Sequence, residues 1–240
     1  MTQKCKPILF KPEMVLAIQR NLKTQTRRLI KPQPPALDEV KRRAGIGFEL
    51  FTDERTAPTY RVAGPVWAVR ELLGREPEWK CPYGKPGDML WVRETWGILD
   101  NGPDDYPYVI WKADRAVDWC DNNRRSGAIH YVGSETRPKK WRPPIHMPRW
   151  ASRLTLLVTD IRAQRLQDIT EQDARAEGVT PFQPGPNQDL DPGDCWSACN
   201  NPGREHLASL EYAWNEMHGW SPNSWASNPW VWAITFEVTK

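Results

Sequence analysis

A short basic segment near the N-terminus contains residue types that can carry out chemistry: Asn21-Leu-Lys-Thr-Gln-Thr-Arg-Arg28. A threonine hydroxyl is a weak nucleophile until a base removes its proton, and a desolvated lysine with a neutral amine can be that base. We therefore consider Lys23 and Thr26 a candidate base–nucleophile pair. Arg27 and Arg28 suit bidentate contacts with a phosphate or with the edge of a base. The same composition also fits a charged helix exit, where cations interact favourably with the helix dipole.

A second basic segment, residues 137–153, combines cations with flat rings. The cations are Arg137, Lys139, Lys140, Arg142, Arg149 and Arg153, and the rings are Trp141 and Trp150. No acidic residue occurs from Thr136 through Thr159. Cations contact phosphates and rings stack on bases, so the composition predicts a nucleic-acid surface. The alternative is a rigid segment whose tryptophans are buried. His146 is a candidate acid/base or ring contact, although a lone histidine more often has a structural role.

Apolar spacing and turn residues predict the elements that position these segments. A short strand at residues 7–10 precedes a helix that begins at Pro12 and ends near Asn21, which tolerates a left-handed backbone. Thr170 is a helix N-cap candidate, and Gly178 ends that helix. The other predicted strands cover residues 89–96, 106–111, 154–162 and 230–238, the later helices 171–177 and 204–218, and the loops 112–140 and 180–203. Short strands with few helices indicate a small twisted barrel decorated by helices and loops.

In its order of motifs the chain resembles the ASCH domain family, whose barrel is related to the PUA RNA-binding domain. The resemblance is carried by Lys23-Thr-x-Thr-x-Arg28 after a strand and a helix, the Gly87-Asp88 turn before Leu90–Glu94, the strand 154–162 followed by the helix with Glu177, and the last strand 230–238. The chain looks most like the long ASCH-like proteins common in phages and prophages. The resemblance implies an α+β fold, a small PUA-like mixed β-barrel decorated with short helices and long loop insertions. It further implies a single domain over residues 1–240, with insertions at about 31–80, 97–140 and 180–203.

Small bacterial members of this family are similar to amidohydrolases that remove acetate from N(4)-acetylcytidine, using a lysine, a threonine and a glutamate. Carried over by motif, the catalytic residues are Lys23 as base, Thr26 as nucleophile, and Glu177, which positions Lys23 or passes a proton to the leaving amine. Without the resemblance, Glu177 would be read as a surface residue at a helix end. This chain has Asn21 where the family usually has glycine, and it is much longer than those enzymes.

Substrate contacts are expected from three parts of the chain. They are Thr24, Arg27 and Arg28, then Arg93, Glu94 and Trp96, and finally His146, Arg149 and Trp150. Glu94 follows Arg93 in the sequence, and we interpret Glu94 mainly as half of a buried Arg–Glu pair that supports the pocket. The expected partner is a nucleoside or a nucleic acid, with RNA favoured over DNA.

The overall composition argues against several classes of protein and against a metal site. The 240 residues carry a net charge of only +3, which by itself does not indicate a polyanion-binding protein. The five cysteines are scattered, which argues against a disulfide scaffold and predicts a cytoplasmic protein. No apolar run approaches the roughly 18 residues of a membrane span, so no membrane partner is expected. Cys195, Cys199 and His206 hint at zinc, but their spacing is irregular; we predict neither a metal nor a cofactor.

Three functions follow from these observations. The first is a hydrolase acting on an acylated or otherwise modified nucleoside, and the presence of all three catalytic residue types in order favours it. The second is a non-catalytic RNA- or DNA-binding module. The third is a ribonuclease, an activity that also exists among ASCH-type domains.

Overall fold

The computed structural model describes residues 5–34, 47–51, 59–63, 78–100, 107–121, 124–133, 136–181, 203–219 and 221–239. The strands are β1 (Cys5–Leu9), β2 (Gln25–Leu29), β3 (Gly47–Phe51), β4 (Thr59–Ala63), β5 (Glu78–Lys80), β6 (Met89–Arg93), β7 (Trp96–Leu99), β8 (Tyr108–Trp111), β9 (Ala116–Asp121), β10 (Arg124–Tyr131), β11 (Thr155–Arg165) and β12 (Trp230–Thr239). The α-helices in the described ranges are α1 (Pro12–Gln19), α2 (Glu171–Ala176) and α3 (Glu205–His218), and 3₁₀ turns occur at Pro144–His146, Arg149–Ala151 and Leu166–Asp168. The chain thus has a mixed fold with many strands and few helices. Within the described ranges every sheet has two end strands and none closes into a barrel.

Two compact units are formed, each from separate stretches of the chain. The first comprises Met1–Leu22, Gly87–Leu157 and Glu237–Lys240, and the second comprises Lys23–Pro86 and Val158–Phe236. In neither unit do the described residues include a helix that is long and apolar enough to cross a membrane.

The first unit begins with a parallel pair. β1 pairs with β6 in the register Cys5↔Met89, and β6 pairs antiparallel with the start of β11. The intervening α1 starts with Pro12 at its first turn and buries Val15 and Ile18. Asn21 follows with a φ of 56°, the left-handed backbone that the sequence predicted. The predicted helix start and helix exit are therefore both confirmed.

A four-stranded antiparallel sheet, in the order β10-β9-β8-β7, completes the first unit. The prediction of a loop over residues 112–140 was wrong, because β9 and β10 lie within it. The apolar pattern is interrupted there by Asp118, which is fully buried. Its carboxylate accepts hydrogen bonds from the side chains of Arg125 and Ser126 and from the backbone N–H of Gly127. A buried charge that is satisfied in this way is compatible with a strand, although it conceals the strand in the sequence.

In the second unit β2 pairs antiparallel with β12, in a register that sets Gln25 opposite Thr235 and Thr26 opposite Ile234. A separate antiparallel sheet has the order β3-β4-β5. The start of α2 is capped as predicted, since the Thr170 hydroxyl accepts from the backbone N–H of Asp173. Gly178 follows the helix with a φ of 73°, which confirms the predicted stop.

Helices α2 and α3 are joined by apolar packing and by one carboxylate. Buried side chains of both helices and of neighbouring segments form one core cluster: Leu166, Ile169, Ala174, Leu207, Leu210, Trp214, Trp225 and Val231. Glu171 in the first turn of α2 accepts hydrogen bonds from the backbone N–H groups of His206 and Leu207. These donors belong to the first turn of α3 and have no partner within that helix. Glu171 therefore caps α3 and holds α2 in place, with Glu177 at its C-terminal end.

Candidate functional site

Lys23 and Glu177 are brought together by the backbone. Lys23 lies two residues before the start of β2, and Glu177 is the C-cap residue of α2. The two positions form an isolated antiparallel bridge. The backbone N–H of Thr24 donates to the carbonyl of Ala176 at 2.8 Å. The N–H of Phe236 in β12 donates to the carbonyl of the same Thr24 at 2.9 Å. The end of α2 and strand β12 thus both hold the backbone next to Lys23.

The side chains of these two residues form a buried ion pair. Lys23 Nζ lies 2.6 Å from Glu177 Oε2 and also donates to the Glu177 carbonyl oxygen at 2.8 Å. Lys23 is only 1% exposed and Glu177 only 8%. Removing two charges from water costs several kcal/mol per ion, and only close, well-oriented pairing offsets that cost. A pair this short and this deeply buried is therefore a fixed feature of the second unit.

Arg27 joins the pair from β2. Its Nη1 donates to Glu177 Oε1 at 3.0 Å and to Gln25 Oε1 at 2.7 Å, and its Nη2 lies 3.3 Å from Asp173 Oδ2. Gln25 and Arg27 share one face of β2 because side chains alternate along a strand. Asp173 and Glu177 share one face of α2 because they are four residues apart. We call Lys23, Gln25, Arg27, Asp173 and Glu177 the Lys23 cluster.

Thr26, the predicted nucleophile, is 3% exposed and lies between two members of this cluster on β2. Strand alternation places it on the opposite face from Gln25 and Arg27. Ile234 is its direct neighbour on β12, and Trp232 is the neighbour of Arg28. Thr24 is exposed and Arg28 is half-buried. The structure therefore brings the Lys23 amine and the Glu177 carboxylate together. An approach of the Thr26 hydroxyl to Lys23 stays a prediction.

Burial changes the proton affinity of Lys23. Desolvation lowers the pKa of the Lys23 amine below 10.5, although the carboxylate of Glu177 opposes this shift. The positive charges of Arg28 and Arg27 lower the same pKa further. A lysine with a lowered pKa loses its proton at lower pH than usual, and a shift in this direction suits a general base.

This shift predicts how stability depends on pH. Between the lowered pKa of folded Lys23 and 10.5, the unfolded chain binds more protons than the folded chain. The contribution of the Lys23 amine to the free energy of unfolding therefore rises with pH in this range. We expect the unfolding free energy of the wild type, minus that of Lys23→Met, to increase from neutral pH toward 10.5. Urea unfolding of both proteins at a series of pH values measures this difference. A difference that shrinks as the pH rises would contradict the lowered pKa.

Most of the residues predicted to contact substrate in the first unit instead contact other side chains of that unit. Arg93 stacks over Trp91 at 4.7 Å, Arg149 over the same ring at 5.7 Å, and Arg142 over Trp96 at 4.9 Å. Trp150 is half-buried and meets the ring of Trp96 edge-on, with 6.0 Å between the ring centroids. His146 is exposed at the end of a 3₁₀ turn. Five cations of the 137–153 segment are exposed as well: Arg137, Lys139, Lys140, Arg142 and Arg149.

Glu94 forms a buried ion pair, but its partner is not the adjacent Arg93. Arg153 binds both carboxylate oxygens of Glu94, at 2.9 and 3.0 Å, and also donates to Asp114 at 2.8 Å. Burial raises the pKa of Glu94, and the charge of Arg153 opposes that shift. Arg93 is the last residue of β6, and Glu94 follows it outside the strand. Arg93 Nε donates instead to the carbonyl of Met147 at 3.1 Å.

The sequence reasoning missed Gln25 and Asp173 as members of the Lys23 cluster. Both were within reach of spacing arguments, since Gln25 and Arg27 are two residues apart on a strand and Asp173 precedes Glu177 by one helical turn. Asp173 also serves the capping box of α2. Arg153 and Asp114 left no such signal, because their partnership spans distant segments.

The described part of the chain contains no group of three or more His, Cys, Asp or Glu residues arranged to hold a metal ion. Cys195 and Cys199, which hinted at zinc in the sequence, lie outside the described residues. In comparisons with protein-family models, curated proteins and solved structures, no match to this chain was found.

Proposed function

We propose that this chain is an ASCH-type, PUA-like protein that binds nucleosides and hydrolyses the acyl amide of a modified cytidine such as N(4)-acetylcytidine. The observation that carries the proposal is the buried Lys23–Glu177 pair, with 2.6 Å between Nζ and Oε2. These are two of the three residue types that such an amide hydrolysis uses, and they come from segments 154 residues apart in the sequence.

In the proposed reaction, Thr26 Oγ attacks the acyl carbonyl carbon while the neutral amine of Lys23 accepts the hydroxyl proton. The tetrahedral intermediate collapses, the C–N4 bond breaks, and the proton returns from Lys23 to the departing amino group of cytidine. Water then attacks the acyl-threonine ester, releasing the carboxylic acid and restoring the hydroxyl. Glu177 holds the Lys23 amine in place through both steps.

One feature of the cluster supports these roles. The lowered pKa of Lys23 favours the base form that the first step needs. The reaction also requires Thr26 Oγ within hydrogen-bond reach of Lys23 Nζ when substrate is bound, and catalytic hydrogen bonds often tighten only in that complex. The roles of Lys23, Thr26 and Glu177 in catalysis are thus one proposal, to be tested together.

One observation favours a second candidate function, RNA binding without chemistry. The 137–153 segment exposes five cations, Arg137, Lys139, Lys140, Arg142 and Arg149. Exposed cations suit phosphate contacts, whose affinity falls steeply with salt. The neighbouring rings of Trp91 and Trp96 are already covered by arginines, so this surface favours backbone contacts over base stacking.

The test is to incubate the purified protein with N(4)-acetylcytidine and other N4-acylated cytidines, and to quantify cytidine by chromatography. Gln172→Ala, an exposed change on α2, is the matched control and is expected to act like the wild type. In parallel, binding of single-stranded RNA is titrated at several salt concentrations. Cytidine formation supports the hydrolase. Salt-sensitive RNA binding without any deacylation contradicts it and favours the second candidate.

A further inference from the structure

Two arginines of the first unit share the ring of one tryptophan. The guanidinium carbons of Arg93 and Arg149 lie 4.7 and 5.7 Å from the ring centroid of Trp91. Because both distances are measured to the same ring, the two positive charges are also near each other, and like charges repel. A neighbouring carboxylate, or an anion from outside the chain, would relieve that repulsion.

No carboxylate of the described residues provides this relief. Within the part of the chain that the structure describes, neither Arg93 nor Arg149 forms an ion pair. By contrast, Arg125 and Arg153, which stack on Trp111 at 5.3 and 4.6 Å, each pair with a buried carboxylate, at 3.2 and 2.9 Å. The sequence also has no acidic residue within ten positions of Arg149 on either side. The charge at Trp91 is therefore balanced best by an external anion.

The guanidinium of Arg93 is oriented before a ligand arrives. Its Nε donates to the carbonyl of Met147 at 3.1 Å, and the group lies over Trp91. Among the described residues Nη1 and Nη2 have no acceptor, and neither atom is buried. An arginine with two available N–H groups can bind two oxygens of one oxyanion. Because its orientation is already restricted, Arg93 loses less conformational freedom when it binds such a group.

Arg149 adds a second charge beside the same ring. It is exposed and begins the 3₁₀ turn Arg149–Ala151, whose end is closed by a 3.2 Å hydrogen bond from the Ser152 N–H to the Arg149 carbonyl. Pro148 precedes the turn, and its ring restricts the backbone further. The backbone of Arg149 is thus restrained, while its exposed side chain can still adjust to a ligand on Arg93.

We propose that Arg93 and Arg149 together bind a phosphate monoester. Such a group carries about 1.5 to 2 negative charges at neutral pH and three acceptor oxygens, which match two guanidinium groups. A phosphodiester has one charge and two unsubstituted oxygens, so it fits this pair less well. The site belongs to the first unit and the Lys23 cluster to the second, so the inference does not depend on the proposed hydrolysis. Small phosphate esters and the 5′-phosphorylated end of a nucleic acid strand both present this group.

Small anions test the chemistry with the wild-type protein. The dissociation constants of methyl phosphate and dimethyl phosphate are measured by titration followed by phosphorus NMR, at one low ionic strength because salt screens such contacts. We expect methyl phosphate to bind about tenfold or more tightly than dimethyl phosphate. Equal affinities for the two esters, or no binding of methyl phosphate up to about 10 mM, would overturn the proposal.

A short single-stranded RNA, prepared with a 5′-phosphate and with a 5′-hydroxyl, distinguishes the two sources of the group. Tighter binding of the phosphorylated strand supports the proposal and identifies a strand end as the source. Equal binding of the two strands, with methyl phosphate still bound, supports the proposal with a small ester as the source.

Arg149→Gln and Arg93→Gln each remove one charge from the site. We expect each variant to bind methyl phosphate about tenfold more weakly than the wild type. Arg20→Gln, which removes an exposed arginine at the end of α1 in the same unit, is the matched control and should keep wild-type affinity. Circular dichroism checks the folds, and Arg149→Gln decides alone where Arg93→Gln does not fold. Wild-type affinity in folded Arg149→Gln would refute the site.

Discussion

Replacement of Glu177 by leucine is expected to lower the free energy of unfolding by about 3–5 kcal/mol, because it leaves the Lys23 ammonium buried without its partner. Arg27 would lose the same carboxylate at 3.0 Å, although Asp173 remains close to it. Urea unfolding followed by tryptophan fluorescence and circular dichroism measures the change. The matched control is Glu216→Leu on α3, an exposed glutamate whose loss is expected to change stability by less than about 0.5 kcal/mol.

A double replacement separates the lost charge from the lost packing. Lys23→Met combined with Glu177→Leu removes both charges and keeps similar volume, and buried ion pairs replaced by apolar side chains are often neutral for stability. We expect the double variant to recover most of the stability that Glu177→Leu loses. A Glu177→Leu protein as stable as the wild type would show that the pair is not buried in solution as it is in the structure.

The second large effect is expected on catalysis. Lys23→Met removes the proposed general base, and the turnover number for N(4)-acetylcytidine is expected to fall about 10²- to 10⁴-fold. The Michaelis constant is expected to change little, because the proposed target of Lys23 is the hydroxyl of Thr26 and not the bound base. Initial rates of cytidine formation over a range of substrate concentrations provide both parameters.

Lys80→Met on β5 is the control for this variant, since it removes an exposed lysine from the same unit. It is expected to keep wild-type rates. Thr26→Val removes the proposed nucleophile with almost no change in volume, and it should lose activity as Lys23→Met does. An active Thr26→Val protein with an inactive Lys23→Met protein would move the nucleophile to water and refute the acyl-threonine step.

Local features of the second unit explain why part of the Lys23 cluster was predictable. Thr170 and Gly178 mark the ends of α2 in the sequence, and this places Glu177 at the helix terminus. Asn21 marks the end of α1 in the same way, so Lys23 was expected just beyond a helix exit. Caps and turns depend on neighbouring residues, and therefore the sequence alone is sufficient to locate them.

Partners that are distant in sequence could not be predicted in this way. Glu94 was expected to pair with its neighbour Arg93, but Arg153, 59 residues away, takes that place. The contact between Arg27 and Glu177 spans 150 residues. Nothing local specifies such pairs, because they follow from the register of strands and the position of a helix end. The buried Asp118 shows the same limit, since only its three donors make β9 compatible with a charge in its interior.

Deacylation of N(4)-acetylcytidine by the Lys23→Met, Glu177→Leu double variant, compared with the wild type at equal protein concentration, is the most direct measurement. Because the double variant is expected to stay folded, a loss of activity reports on chemistry and not on stability. We expect the wild type to release cytidine and the folded double variant to release none above the uncatalysed rate. A folded double variant that matches the wild-type rate, or a wild type that releases no cytidine, would contradict the assignment of this buried pair to catalysis.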